Sequence, residues 1–246
     1  VTELSPGAHP LFLYYAGLTV AETGEKTEPF DIAIVAAAAL HQSGETLPSQ
    51  RLAELPFDPQ TRRNAVLVKT ATDLMIVVRG APEEILRLSP SLPAPERESL
   101  ATWLSGRGRA GERTIALAKR SVPPTTTTLS PGDIQDLEFL GAIAFTDPIK
   151  PSAFHAVEKA NQLGVTLKII TGDSPEVAGA VGVRVGLLED PARVITGSVL
   201  MAMPPNEREK AIQQHAVFAR VTPEQKYEII QTLQRTSTVG FLGEGI

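Results

Sequence analysis

From residue 137 onward the chain alternates apolar, β-rich runs with helix-like segments, and this rhythm restricts the fold more than any other feature. "LEFLGAIAFTD" reads as a strand and "KPSAFHAVEKANQLG" as a helix with Phe154, Val157 and Leu163 along one stripe. "VTLKIITGD" is a strand again and "SPEVAGAVGVRVGL" a helix. "AVFARV", "TPEQKYEIIQTLQRT" and "STVGFLGEG" continue as strand, helix and strand. Alternation of this kind predicts a parallel sheet with helices on its faces. Ligands of such sheets bind beyond the carboxyl ends of the strands, so the residues that follow each strand are the ones to inspect.

Those residues are polar or glycine. Thr146-Asp147-Pro148 follows "AIAF", and Thr171-Gly172-Asp173 follows "LKII". Thr222-Pro223 follows "AVFARV", with Lys226 one turn into the next helix, and Gly243-Glu244-Gly245 follows "STVGFL". The mixture suits phosphoryl transfer. Hydroxyls and N–H groups at a helix start hold phosphate oxygens, a lysine neutralises the transferring group, and carboxylates hold Mg²⁺ through hard oxygen ligands. Each motif alone has a plainer reading. Asp147-Pro148 is an ordinary helix-start turn, Thr171-Gly172-Asp173 a turn with a cap, and Lys226 a solvated helix lysine. The weight lies in four motifs in order, each after a strand.

The first half has a different grammar. "EPFDIAIVAAAALHQSG" reads as a helix with Pro29 near its start and Gly44 after its end. "RNAVLVKT" and "DLMIVVRG" are β-rich runs separated by Ala71-Thr72, a hairpin. "APEEILRL" opens a short helix and "RTIALAKR" is another strand, which together describe an α+β module. Arg62 and Arg63 read as surface charges. The Pro- and Thr-rich stretch 121–133 reads as a loop or linker.

Bulk properties remove several classes of function. With 246 residues and 42% apolar content the chain has ample material for a core. No cysteine is present, which excludes disulfides, thiolate metal sites and cysteine nucleophiles. His9, His41, His155 and His215 follow no metal-ligand spacing. Charge is mixed, net −5, with no basic cluster flanked by aromatics, so no nucleic-acid partner is expected. The longest apolar run, 32–40, is about half of the roughly 20 residues a membrane helix needs. The sequence opens at Val1 with no charged n-region and no apolar h-region, so no signal peptide is read there, and "GFLGEGI" stops in a glycine-rich turn; the expectation is a piece of a longer protein.

The second half resembles the phosphorylation domain of P-type cation-transporting ATPases, members of the haloacid-dehalogenase-like superfamily. "FTDPIK" resembles the family's hinge motif, "KIITGD" its TGD motif, "FARVTPEQK" its lysine motif and "GFLGEGI" the start of its GDGxND motif. The first half extends the resemblance. "PFDPQTRRNAVLV" is similar to the stretch around the phenylalanine that stacks on adenine, which places that role on Phe57. "VVRGAPEEIL" resembles the KGAPE motif through Arg79 and Gly80, with arginine in place of lysine. "GERTIALAKR" assigns Arg113 to the ATP phosphates, and "EPFDIAI" assigns Asp31 to an acidic adenine contact.

The resemblance implies an α/β fold: a haloacid-dehalogenase-like, Rossmann-type parallel sheet carrying an inserted α+β nucleotide-binding domain built on an antiparallel sheet. The implied organisation is 1–10 as a linker or edge of the phosphorylation domain, 11–133 as the nucleotide-binding domain, and 134–246 as an incomplete phosphorylation domain. It implies ATP as substrate and Mg²⁺ as cofactor. Thr171, Gly172 and Lys226 would hold the γ-phosphoryl group, Asp173 would order the site, Asp147 would lie at a hinge, and Glu244, in place of the usual aspartate, would ligate the metal. The attacking aspartate of the DKTGT motif does not occur in the 246 residues and is expected upstream of Val1. Implied partners are a transported cation and the protein's own transmembrane and actuator domains, at the cell membrane with this segment on the cytoplasmic side. The motifs lean toward magnesium-, calcium- and proton-pump-like branches, and the ion itself is not legible. Two alternatives stay open: a soluble haloacid-dehalogenase-like phosphatase with a cap domain, although no strand ends in the DxD it requires, and a nucleotide-binding module without catalysis.

Overall fold

The structure is a computed structural model that describes residues 3–20, 29–41, 48–146 and 148–243. The chain divides into two compact units, one formed by Val1–Arg107 with Glu112–Thr146, the other by Gly108–Gly111 with Asp147–Ile246.

Unit 1 is built on a six-stranded antiparallel sheet. Its strands are β1 (Glu3–Leu4), β2 (Ser49–Asp58), β3 (Arg63–Thr70), β4 (Leu74–Gly80), β5 (Arg113–Ser121) and β6 (Glu138–Phe145), in spatial order β1-β6-β5-β4-β3-β2. The predicted hairpin is present, with β3 and β4 in register from Arg63↔Gly80 to Lys69↔Leu74. Its turn is closed by Thr70, whose amide donates to the Asp73 carbonyl at 2.8 Å and whose hydroxyl accepts from the Asp73 amide at 3.0 Å. Side chains alternate between the faces of a strand, and both faces are covered here. Val66, Val68, Met75, Val77, Leu117 and Ile143 form one core with helices α1 (Phe12–Leu18) and α2 (Pro29–His41). Leu67, Ile76, Val78, Ala116 and Ala142 form the other with α3 (Pro82–Arg87) and α4 (Ala94–Arg109). Burial on two faces explains why β3 and β4 read as continuous apolar runs. Each fully buried Val, Leu or Ile contributes about 1.5–3 kcal/mol.

Unit 2 contains a three-stranded parallel sheet in the order β7-β9-β8, made of β7 (Ile169–Ile170), β8 (Ile195–Thr196) and β9 (Val217–Ala219). Helices α5 (Pro151–Gln162), α6 (Pro175–Arg184), α7 (Gly197–Ala202), α8 (Pro205–Gln214) and α9 (Pro223–Gln234) complete it. Phe218 of β9 is buried with Ile195, Leu200, Ile212 and Ile229, while Val217 and Ala219 point the other way onto Ala178 of α6. No residue of α5 is buried, and Phe154 and Leu163 of the expected stripe are 46% and 71% exposed.

Two expectations are corrected. The strand "LEFLGAIAF" does not open the parallel sheet. As β6 it pairs antiparallel with β5, from Arg113↔Phe145 to Lys119↔Glu138, and with β1 through Glu3↔Ala144. Its inward residues Leu140, Ile143 and Phe145 complete the α1/α2 core, and that burial decides the partner. The compact units accordingly divide after Thr146. The expected strand over "STVGFLGEG" is also absent: residues 237–243 carry none, so of the parallel sheet three short strands are seen. No described helix is long and apolar enough to cross a membrane.

Candidate functional site

In unit 1 the fold brings two candidate residues into direct contact. Asp31 lies in the first turn of α2, where a carboxylate meets the positive end of the helix dipole. Arg79, near the end of β4, donates from Nη1 to Asp31 Oδ1 at 2.5 Å, with side chains 12% and 8% exposed respectively. Arg79 Nε donates to Asn64 Oδ1 at 3.3 Å, and Asn64 Nδ2 donates to the Thr19 carbonyl at 3.0 Å. A charge pair this far out of water is tolerable only when its remaining hydrogen-bonding capacity is met, and Asn64, one rung across on β3, meets part of it. Sequence reasoning missed Asn64. Its signal is a polar residue on the face that Val66 and Val68 make apolar.

Gly80 is buried beside this pair for a packing reason. A Cβ there would lie 2.6 Å from the Arg62 carbonyl oxygen and 2.8 Å from Arg63 Cβ. The Arg62 carbonyl also accepts from the Ala81 amide at 3.0 Å, so the backbones are held together. Arg62, read as a surface charge, is an ion-pair centre instead, with Nη1 2.6 Å from Glu83 and Nη2 3.4 Å from Glu84.

Phe57 is the penultimate residue of β2, in the irregular stretch between Leu55 and Asp58, and is 59% exposed, the exposed large aromatic among the described residues of unit 1. The turn after it is fixed by Asp58, whose Oδ1 accepts from the Gln60 amide at 2.9 Å and whose Oδ2 accepts from the Thr61 hydroxyl at 2.9 Å. These bonds, that from Gln60 first, lower the Asp58 pKa from its ordinary 3.8. Arg113 opens β5 opposite Phe145, and alternation with Ile115 and Leu117 puts it on the same sheet face as Asn64 and Arg79.

In unit 2 the parallel strands end on one side, so the loops after β7 and β9 meet as expected. The Asp173 carbonyl accepts from the Arg220 amide at 3.0 Å, and the Thr171 carbonyl from the Val221 amide at 3.1 Å. Thr171 Oγ1 donates to Asp173 Oδ2 at 3.1 Å and accepts from the Asp173 amide at 3.1 Å. Arg220 Nη1 donates to the Gly172 carbonyl at 3.3 Å. Thr171, Gly172 and Asp173 therefore form one preshaped loop. Ser174 caps α6 directly after it, through the Val177 amide at 3.4 Å, leaving helix N–H groups beside a hydroxyl. Thr222 caps α9 in a reciprocal capping box with Gln225, which sets Lys226 in the first turns. The Lys226 ammonium lies 5.0 Å from the centroid of the Phe241 ring.

Asp147 and Glu244 lie outside the described residues. Among the described residues no group of three His, Asp or Glu side chains is arranged for a metal, and Asp173 is the carboxylate in the loop. Mg²⁺ takes one or two carboxylates together with water and substrate phosphates. This donor set fits an ion that arrives on a nucleotide and does not fit an all-protein cage.

Comparison with known proteins places the chain in a family. Residues 21–152 match the family model for the P-type ATPase cytoplasmic domain N. The magnesium-transporting ATPase, P-type 1, of Salmonella typhimurium is 36% identical over 207 residues, 78% of this chain and 23% of that protein. The cation-transporting ATPase pma1 of Synechocystis sp. is 30% identical over 244 residues, 95% of this chain and 27% of the other. Calcium-transporting ATPase 1 of Saccharomyces cerevisiae is 28% identical over 235 residues, 89% and 25% of the two chains. The chain thus spans about a quarter of the length of the curated relatives it matches, and it belongs to the P-type ATPase family.

Proposed function

We propose that this chain is the ATP-binding and phosphorylation-site part of a membrane cation-transporting ATPase, lying on the cytoplasmic side of the cell membrane. Unit 1 is the nucleotide-binding domain and unit 2 part of the phosphorylation domain. The observation that carries the reading is Phe57. A large aromatic face left 59% exposed on the edge strand β2, within the residues that match the family's cytoplasmic domain N, is a stacking platform. Arg113 meets the phosphates, while Asp31, paired with Arg79, sets the polar edge that the base encounters. Magnesium-, cation- and calcium-transporting relatives support a cation as cargo without selecting one.

The chemistry proposed for the intact protein is transfer of the γ-phosphoryl group to an aspartate supplied outside these 246 residues. A carboxylate oxygen forms a bond to phosphorus, the bond to the β,γ-bridging oxygen breaks, and ADP leaves. Thr171 and the Gly172 loop hold the phosphoryl oxygens from one side, with the Ser174-capped helix start behind them. Lys226 offsets the charge that spreads over those oxygens. Asp173 keeps the Thr171 hydroxyl in place through the contact already described. When bound with the nucleotide, Mg²⁺ would supply positive charge that offsets the phosphates. Asp147 is assigned to the hinge and Glu244 to the metal by resemblance alone.

The test is direct titration of this chain with ATP. Phe57→Ala is expected to weaken binding by about 1–3 kcal/mol, the scale of one lost base stack. Unchanged affinity in that variant sinks the adenine site.

A further inference from the structure

The end of the unit 1 sheet where β5 begins holds a side-chain cluster that the nucleotide reading leaves unused. Glu112 immediately precedes β5, and its carboxylate is divided between two partners. Oε1 accepts from Thr146 Oγ1 at 3.2 Å, and Oε2 lies 3.4 Å from Arg107 Nη1. The same Arg107 nitrogen sits 3.0 Å from Glu3 Oε2, while Trp103 Nε1 donates to Glu3 Oε1 at 3.3 Å. Strands β1, β6 and β5 are adjacent, so one cluster ties the same end of three strands to α4. Glu112 is its enclosed member, with a side chain 12% exposed against 50% for Glu3. A carboxylate at that depth requires both of its partners.

The position of Glu112 relative to Arg113 gives the cluster a functional reading. Arg113 and Phe145 form the last rung of the β5–β6 ladder. Glu112 and Thr146 are the next residues outward on the two strands, so their hydrogen bond closes the ladder beyond that rung. Strand ends without such closure open locally at little cost. We propose that Glu112 is a positioning residue for Arg113. It pins the rung from which the guanidinium reaches the nucleotide phosphates, and its own charge is engaged by Arg107 and Thr146. The proposal rests on the reading of Arg113 as a phosphate contact.

The experiment titrates this chain and its E112A, E112Q and R113A variants with ATP and with adenosine, and follows amide exchange in the same samples. E112A is expected to weaken ATP about fivefold, the equivalent of one ordinary hydrogen bond, and to leave adenosine unchanged. A purely structural loss would weaken both. E112Q, whose amide oxygen still accepts from Thr146, is expected to recover most of the ATP affinity. Equal losses for ATP and adenosine in E112A, or no loss for either, overturn the proposal. If R113A itself binds ATP normally, the phosphate reading fails on its own. Glu112 is then judged by exchange at the Arg113 and Phe145 amides. Faster exchange there in E112A, with the β3–β4 hairpin unchanged, upholds the pinning, and unchanged exchange overturns it.

Discussion

The two sheets of this molecule solve the same problem by opposite means. In unit 1 the sheet is antiparallel and its strands reach ten residues, with a core on each face. In unit 2 the strands are parallel, two or three residues long, and helices supply most of the buried surface. Antiparallel neighbours can be joined by a tight turn, as β3 and β4 are, whereas each parallel pair needs a crossover of a dozen or more residues. Unit 1 therefore spreads its stability over many equivalent side chains, and unit 2 concentrates it on the central strand.

The largest expected effect tests that contrast. Phe218 is fully buried at the centre of β9 among residues from β8, α7, α8 and α9. Phe218→Ala is expected to cost about 4 kcal/mol and to abolish amide protection throughout unit 2. Protection in the β3–β4 hairpin should persist. Loss of protection in both units at the same denaturant concentration would show that the chain unfolds as one body and would break the comparison.

The same contrast explains what the sequence disclosed. The β3–β4 hairpin was legible because Ala71-Thr72 separates two apolar runs and the pairing is local. The Thr171-Gly172-Asp173 loop was legible because its residue types follow an apolar run. The apolar pattern of β6 identifies a strand but not its sheet, since its partner β5 lies across a long connection and apolar pattern alone does not name a partner. The strand β2 is not legible in the sequence: Pro56 and the charges Arg51 and Glu54 hide it, although an edge strand tolerates both. Asn64 and Glu112 were invisible for a further reason. Each matters through partners that no local pattern names, the Thr19 carbonyl and the Arg79 side chain for one, the Thr146 and Arg107 side chains for the other.

A smaller effect separates packing from ligand contact within unit 1. Gly80 sits in a motif assigned to nucleotide binding, yet a Cβ there meets the Arg62 carbonyl at 2.6 Å. The other near atoms, Arg63 Cβ at 2.8 Å and Arg63 Cα at 3.0 Å, move only with the backbone, so relief requires β3 and β4 to shift. Gly80→Ala is expected to cost about 2 kcal/mol, in the range of overpacked cores, seen as a lower urea midpoint for unit 1 with unit 2 unmoved. Normal stability combined with lost ATP binding would show that the glycine serves the ligand instead.

The smallest effect is one of pH, and it compares a single turn in each unit. Asp58 holds the turn after Phe57 through Gln60 and Thr61, and those bonds lower its pKa from 3.8. In unit 2 Glu224, in the first turn of α9, is lowered from 4.5 by its own backbone amide and then by Thr222. A carboxylate with a depressed folded pKa contributes stability that is complete above its unfolded pKa and is lost as pH falls through the folded one. Acid is therefore expected to loosen both turns only below the ordinary carboxylate range. Exchange at the Gln60 amide should rise there, and Asp58→Asn, which has no carboxylate to protonate at that turn, should flatten the profile. The readout also bears on the stacking platform. If Phe57 is held by this turn, ATP affinity should decline over the same interval in the wild type and stay level in Asp58→Asn. A parallel decline in both would place the acid-sensitive group elsewhere in the nucleotide site.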